Sequence, residues 1–365
     1  MGEISAILLE WYSQNKRELP WRESKDAYRI WVSEIILQQT RVSQGYDYFV
    51  RFIKRFPTVE ALALADEEEV LVYWQGLGYY SRARNLHAAS RQVVAMGGMP
   101  CTYEGVRSLK GVGDYTAAAI CSIAYGLPYA VVDGNVYRIL SRLMGISVPI
   151  DSSSGKREFA LLANELLDRR LPGEYNQAIM DFGALQCLPQ SPQCESCPLA
   201  GRCVAYASGT VSQFPVKQHR TTTKNRFFNY IYVRAGAYTF ISKREADDIW
   251  RNLYELPLVE TEEEVGEEEF YALPQLQRLI AEKEKPQFRL LCRGVKHVLS
   301  HRVIYANFYE AVLPENTKSF SSCLKIREEE LDKYPVSRLV SLFLEKKEGL
   351  DLQGRRIMCT FEPLF

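Results

Sequence analysis

The chain of 365 residues has no long hydrophobic run. The longest candidate, Ala117 to Val132, is broken by Ser122, Gly126 and Pro128, and a membrane-spanning helix needs about twenty apolar residues in a row, so a membrane span is excluded and no membrane partner is expected. Net charge is missing too: 45 basic residues balance 45 acidic ones. Any binding to a polyanion must therefore come from a local basic face rather than from bulk attraction. Met1 to Trp11 carries Glu3 and Glu10 and reads as an amphipathic helix, without the basic and then apolar regions of a secretion signal. Internal repeats and low-complexity runs are absent, which excludes solenoid and fibrous designs. An even, tightly spaced cysteine set is absent as well: the nine cysteines are an odd count in a long chain, favouring reduced thiols and metal ligation over a disulfide framework. A cytoplasmic location follows as the expectation.

What is present suits two globular domains. Apolar residues make up 47% of the chain and charged residues 25%, enough to bury cores in domains of the usual ~100–200 residues. Up to about residue 205 the apolar spacing is helical, as in Ile4, Ile7, Leu8 and Trp11, in Ile30, Trp31 and Ile35, and in Val70, Leu71 and Trp74. Asp66 ahead of Glu67 to Glu69 suits an N-cap. Residues 206–226 turn polar and basic, with Gly209, Pro215, Lys217, His219, Arg220, Thr221, Lys224 and Arg226, and read as a linker. From 227 to 365, Phe227 to Val233 and Tyr238 to Ile241 have strand length and strand composition about a turn at Gly236. Helical stretches near 273–284 and 330–344 complete a smaller α+β domain, while Glu262 to Glu264 and Glu267 to Glu269 read as a solvated acidic loop.

Cys187, Cys194, Cys197 and Cys203 leave six, two and five residues between them, so four thiolates can reach one centre. Tetrahedral zinc takes such a set. One close pair flanked by longer reaches suits an iron-sulfur cluster better, and both remain open at this point. Cys101, Cys121, Cys292, Cys323 and Cys359 read as small buried apolar residues without a function.

Leu109-Lys110-Gly111-Val112-Gly113-Asp114-Tyr115 sets two glycines two apart ahead of a helix-forming run. Such a turn lets backbone N–H groups approach a phosphate, and the helix N-terminus behind it favours an anion. The hairpin, then Val132-Asp133-Gly134-Asn135-Val136, then the four cysteines follow the order of the endonuclease III superfamily of helix-hairpin-helix glycosylases, which the chain resembles. Ser33 to Thr40, Gly76-Leu77-Gly78-Tyr79-Tyr80 and the second domain resemble the MutY-type adenine DNA glycosylases in particular, over essentially the whole length.

The resemblance implies a mainly α helix-hairpin-helix glycosylase domain with one 4Fe–4S cluster on the four cysteines, and a smaller Nudix-like α+β domain that recognises the lesion. It implies removal of adenine opposite 8-oxoguanine or guanine in double-stranded DNA, by a monomer working beside chromosomal DNA as in bacteria. Cleaving an N-glycosidic bond calls for a proton donor to the departing base and a carboxylate beside the positive sugar. By resemblance Glu34 is the donor and Asp133 the carboxylate, with Tyr115 and Asn135 assisting. Bifunctional relatives place a lysine where this chain has Tyr115, and a phenol forms no Schiff base; Lys110 nearby allows trace strand cleavage. Trp21, Arg22 and Gln177 match the adenine pocket, Gln39 and Tyr79 the intercalating positions, Gly111, Val112 and Gly113 the backbone-binding hairpin, and Thr40, Leu77, Ser300 and His301 the recognition of 8-oxoguanine. Trp21 and Tyr115 serve equally well as core filling on sequence alone.

Three features depart from the family pattern. Leu299 stands where an aromatic is usual in the lesion-sensing loop, Leu188 to Gln193 carries no basic residue where relatives present several, and the second domain lacks an acidic metal-binding box, so nucleotide hydrolysis is not expected there. Arg202 or the basic linker would have to replace the missing phosphate contacts. A pyrimidine glycosylase and a non-catalytic iron-sulfur DNA-binding module are the rival readings. A zinc-stapled transcription factor would need a basic recognition helix, and none is present.

Overall fold

A computed structural model describes residues 2–218, 222–280, 286–318 and 320–347. Helices run as α1 (Gly2–Asn15), α2 (Ala27–Leu37), α3 (Val42–Arg55), α4 (Val59–Leu64), α5 (Glu67–Trp74), α6 (Ser81–Ala95), α7 (Tyr103–Arg107), α8 (Asp114–Tyr125), α9 (Gly134–Met144), α10 (Ser153–Leu166), α11 (Pro172–Leu185) and α12 (Val204–Ala207). Their ends carry the expected local chemistry. Asp26, Thr58, Thr102, Asp133 and Ser152 each accept a backbone N–H of the first turn, satisfying donors that have no partner inside the helix. Asp66 stands at the N-cap of α5 without a side-chain cap bond.

The chain forms two compact units. One contains the chain up to Ala65 and again from Ser81 to the linker; the other contains Asp66–Tyr80 and the chain beyond the linker. The division falls within the expected linker of 206–226, but Asp66–Tyr80, expected in the helical domain, joins the other unit, and side-chain bonding explains that. Glu68 pairs with Lys243 (2.7 Å) and accepts from Tyr254 (2.9 Å), Glu67 accepts from Asn252 (2.6 Å), Gln75 accepts from Val336 N (3.1 Å), and Tyr80 donates to Val336 O (3.1 Å). Within the expected linker of 206–226, residues 206–218 are held on the first unit. Arg142 Nε donates to Val211 O (3.1 Å), Ile150 N to Val216 O (3.0 Å), and Gln218 N to Asp151 Oδ1 (2.8 Å). His219, Arg220 and Thr221 lie outside the described residues, and strand structure begins at Lys224 rather than 227.

The first unit is helical throughout. One of its cores joins α1, α8, α9, α10 and α11 through Leu8, Ala119, Val136, Leu140, Phe159, Ile179 and Phe182. The half-buried Cys187, Cys197 and Cys203 pack at the edge of that core.

The second unit is mixed. Strands β1 (Lys224–Arg234), β2 (Tyr238–Lys243), β3 (Tyr254–Glu255), β4 (Leu258–Thr261), β5 (Gln287–Val298), β6 (Arg302–Val312) and β7 (Leu324–Arg327) make a four-stranded sheet of order β4-β1-β6-β5 and a three-stranded sheet of order β3-β2-β7. β1 pairs in parallel with β6; the remaining pairings are antiparallel. Alternation along β1 sends Phe228, Tyr230 and Tyr232 into one core and Ile231 and Val233 into another, so both faces of the strand are buried. The helices α13 (Glu267–Ala272), α14 (Pro274–Leu279) and α15 (Arg338–Lys347) supply Phe270 and Leu276 to the second core and Leu339, Val340 and Phe343 to the first.

Three readings of this half need correction. Glu267 to Glu269 are the first turn of α13, where carboxylates meet the positive end of the helix, and not a loop. The helix expected over 273–284 is present as α14 but shorter: Leu273 caps it with an extended φ of −62° and ψ of 128°, as a residue before proline prefers, and it ends at Leu279; 281–284 lie outside the described residues. The stretch 330–344 is a 3₁₀ turn over Glu328–Lys333 followed by α15. Cys359 also lies outside the described residues.

Candidate active site

A cavity of about 190 Å³ opens in the helical unit between α2, α8, α9 and α11. Among the residues lining it are Trp21, Arg22, Glu34, Thr40, Tyr115, Asp133, Asn135 and Gln177. The sequence reading named all eight; only Thr40 had been given a different task from the pocket it lines.

Glu34 projects from α2 and is 8% exposed. Its Oε2 accepts from the Tyr115 hydroxyl at 2.7 Å, and the same hydroxyl lies 3.1 Å from Met180 Sδ. Burial pushes the Glu34 carboxyl up to about 7; the Asp133 carboxylate adds to that, while the Tyr115 hydrogen bond and the Arg22 charge oppose it. Burial also raises the Tyr115 phenol well above its ordinary value, with both carboxylates reinforcing it. Tyr115 is thus a hydrogen-bond donor at any working pH.

Asp133 owes its place to ordinary helix chemistry. It is the N-cap of α9, accepting from Val136 N at 2.8 Å through Oδ1, while Oδ2 accepts from the Asn135 amide at 2.7 Å. Burial raises this carboxyl from its ordinary value, and the Val136 backbone N–H, the Asn135 amide and backbone N–H and the Arg138 charge work against that rise. Asp133 therefore has donors in place for its charged form where Glu34 has a single hydroxyl. The segment leading to Asp133 is held by the buried Asn176, which accepts from Val131 N (3.1 Å) and donates to Tyr129 O and Ser122 Oγ (2.8 Å each).

Arg22 is fixed by a group that the sequence reading missed. Asp181 is fully buried and accepts from Arg22 Nη1 (2.7 Å) and Nη2 (3.0 Å) and from Arg17 Nε (2.9 Å). Burial alone would raise Asp181, but the two guanidiniums outweigh it and hold the carboxyl below its usual value. Asp181 follows Gln177 by four residues on α11, so i, i+4 spacing puts both on one face; that spacing was the signal available. Tyr12 OH donates to Gln177 Oε1 (2.7 Å), which orients the amide and had no sequence cue. Trp21 is buried with its ring edge-on to Phe49 at 5.3 Å.

Outside the cavity, Gln39 follows α2, exposed, with φ 55°, and Tyr79 is exposed with φ 46°. Left-handed backbone at a non-glycine residue costs roughly 1–3 kcal/mol and concentrates at functional sites. In the hairpin, Gly111 has φ 77°, Val112 is buried, and Gly113 caps α8 without a side chain. A Cβ on Gly111 would lie 2.6 Å from Asn85 Cβ. Gly111→Ala should therefore cost about 1–3 kcal/mol of stability, from strain at that φ together with the clash. Urea unfolding measures it, and an unchanged midpoint would show that the turn tolerates another conformation.

Leu77, Tyr79, Ser300 and His301 lie on the second unit. Tyr79 OH and Ser300 Oγ are 2.5 Å apart; Leu77 is buried; His301 is exposed, its carbonyl accepting from Lys224 N at 3.1 Å. Leu299, Ser300 and His301 form the turn between β5 and β6, with Leu299 packed partly against a core of that unit.

The four cysteines fit an iron-sulfur cluster. Burial, with the neighbouring thiols adding to it, raises the Cys194 and Cys197 thiols, and the buried Arg142 donates to Cys187 Sγ at 3.4 Å and to the carbonyls of Leu188 (2.7 Å) and Pro189 (3.1 Å). A guanidinium there suits an anionic thiolate set. Among the described residues no three His, Cys, Asp or Glu side chains close in as ligands of a single metal ion. Arg138 joins this segment to the cavity, donating to Cys187 O (2.8 Å), Gly183 O (2.7 Å) and Asn135 Oδ1 (2.8 Å).

Models of known families match three parts of the chain: the HhH-GPD superfamily of base excision DNA repair proteins over residues 32–163, the iron-sulfur binding domain of endonuclease III over 187–203, and a NUDIX domain over 229–346. A relative from Rattus norvegicus named adenine DNA glycosylase is 45% identical over 222 residues, 57% of this chain and 43% of that protein. A relative of the same name from Buchnera aphidicola subsp. Baizongia pistaciae is 30% identical over 309 residues, 82% of this chain and 83% of that one. The chain thus spans less than half the length of the mammalian relatives it matches. A solved structure of a thermostable thymine-DNA glycosylase is similar with a TM-score of 0.53 and 27% identity, over 56% of this chain and 95% of that one.

Proposed function

The chain belongs to the adenine DNA glycosylase family, and from that membership we propose that it hydrolyses the N-glycosidic bond of adenine mispaired with 8-oxoguanine or guanine in double-stranded DNA. The observation that carries the reading is the pair of carboxyls lining one cavity in unlike environments: Glu34 held neutral up to about pH 7 by burial, Asp133 supplied with two N–H donors. Burial raises both carboxyls, and the donors that favour the charged form are gathered at Asp133, which suits Glu34 to the acid role and Asp133 to the anion.

The target nucleotide is extruded from the stack into the cavity, at a cost of a few kcal/mol, with Gln39 and Tyr79 as wedges and the Gly111-Val112-Gly113 turn on the phosphate backbone. Arg22, Gln177 and Trp21 hold the adenine; the Asp181 pair keeps Arg22 aimed. With Oε2 of Glu34 occupied by Tyr115, Oε1 is the atom left to carry a proton to N7 of the base. As the bond breaks, the electron pair leaves with the protonated adenine and positive charge develops on the sugar beside Asp133. A water molecule then adds at the sugar carbon, and its proton returns to Glu34. The products are free adenine and an abasic site.

Thr40, Leu77, Ser300 and His301 are the residues we assign to reading 8-oxoguanine. Partly buried Leu299 offers packing rather than a stacking ring. Cys187, Cys194, Cys197 and Cys203 hold one 4Fe–4S cluster, whose contribution is to crosslink four chain positions at the end of the helical unit. Among the described residues no helix is long and apolar enough to cross a membrane.

Tyr115 gives the test of reaction type. Duplex containing adenine opposite 8-oxoguanine should release free adenine, break mainly after alkali, and yield no covalent enzyme-DNA adduct with borohydride. An abundant borohydride adduct would mean an amine nucleophile and contradict simple hydrolysis.

A further inference from the structure

The turn that follows α2 is held by one side chain from another helix. Arg82, near the start of α6, is buried, and its Nη1 donates to the carbonyls of Ile35 (2.9 Å), Ile36 (3.0 Å) and Gln38. Carbonyls at a helix C-terminus have no donor within the helix. Ile35 and Ile36 are 4% and 0% exposed, so their carbonyls need a partner supplied by the protein, and a cation there also meets the negative end of the α2 dipole. The next residue is Gln39, exposed in the left-handed region at φ 55°. Such strain persists only where the surroundings over-determine it. Gln38 adds a second tie, from Nε2 to Thr116 Oγ1 on α8 (3.3 Å).

We propose that Arg82 is a positioning residue for base extrusion: by gathering three carbonyls at the end of α2 it keeps Gln39 in its exposed left-handed conformation and holds Glu34, on the same helix, in register with the cavity. The inference rests on the reading of Gln39 as a wedge. Arg82 itself does not line the cavity, so it acts through the turn and not on the base.

The test compares wild type, Arg82→Met, Arg82→Lys, Gln39→Ala and the two doubles on duplex carrying 2-aminopurine beside an adenine opposite 8-oxoguanine. Fluorescence reports extrusion, single-turnover adenine release reports chemistry, and thermal melting reports the fold. Arg82→Met should lose about 10–100-fold in release, as expected for a misplaced reacting constellation, together with most of the fluorescence rise. Arg82→Lys, with three donors for three clustered acceptors but shorter reach, should recover to within about fivefold of wild type. Gln39→Ala should cost less than about twofold in the Arg82→Met background although it is harmful alone, because coupled sites are not additive. Costs that multiply in the doubles, or a lysine variant as poor as the methionine variant, overturn the proposal. If Arg82→Met does not fold, the lysine variant and its double with Gln39→Ala carry the same comparison. A wild type that gives no fluorescence rise contradicts extrusion itself, and the proposal with it; extrusion by wild type with multiplying costs contradicts the role of Arg82 alone.

Discussion

Glu34→Gln is expected to reduce single-turnover adenine release by about 10²–10⁴-fold, the usual contribution of a positioned general acid, while duplex binding is retained. Glutamine keeps the shape and can still accept from Tyr115, but it has no proton to give N7. The pH dependence of the wild type should follow the same carboxyl. Because burial raises Glu34 to about 7, the neutral acid dominates below that value, and release should fall as pH rises through it. Stability changes in the same direction. The folded value lies above the ordinary 4.5, so the stabilisation from the neutral carboxyl is fully present below about 4.5 and is lost as pH rises through about 7. Comparing melting at pH 5.5 and 8 should show a drop in the wild type that shrinks in Glu34→Gln. A variant with undiminished release would remove Glu34 from the chemistry.

Loss of the cluster should be the largest structural effect. Four chain positions between Cys187 and Cys203 share a single anchor, and Arg142 couples that anchor to Leu188, Pro189 and the docked segment at Val211. Cys197→Ser, or oxidative removal of iron, should lower the melting temperature by on the order of 10 °C, taking a few kcal/mol of lost stability and roughly 2–4 °C per kcal/mol for a domain of this size. New proteolytic cuts should fall within 187–218, and duplex binding should weaken. Iron analysis of intact protein should give four irons per chain. Unchanged melting and binding after iron removal would contradict the structural role.

The sequence carried the site further than it carried the packing that supports it. Glu34, Asp133, Tyr115 and Asn135 sit in short motifs whose local structure is self-specified: a helix opened by Asp26, a glycine hairpin, an aspartate that caps its own helix. The cysteine spacing is equally local. Supporting residues depend instead on tertiary partners distant in sequence. Asp181 becomes informative only when Arg17 and Arg22, more than 150 residues earlier, close on it, and Arg82 is one of many arginines until its nitrogen is seen among three carbonyls. Composition marks 206–226 as a polar, basic linker, yet the Arg142 guanidinium and the Ile150 backbone N–H hold its first part at Val211 and Val216. Asp66–Tyr80 has ordinary helical periodicity, which says nothing about which core it joins.

The most direct test is single-turnover release of adenine from three duplexes that differ only in the opposite base: 8-oxoguanine, guanine or thymine. Release fastest opposite 8-oxoguanine, slower opposite guanine and weakest opposite thymine is the predicted result. No adenine from any duplex, by protein that is folded and carries its iron, would contradict the assignment.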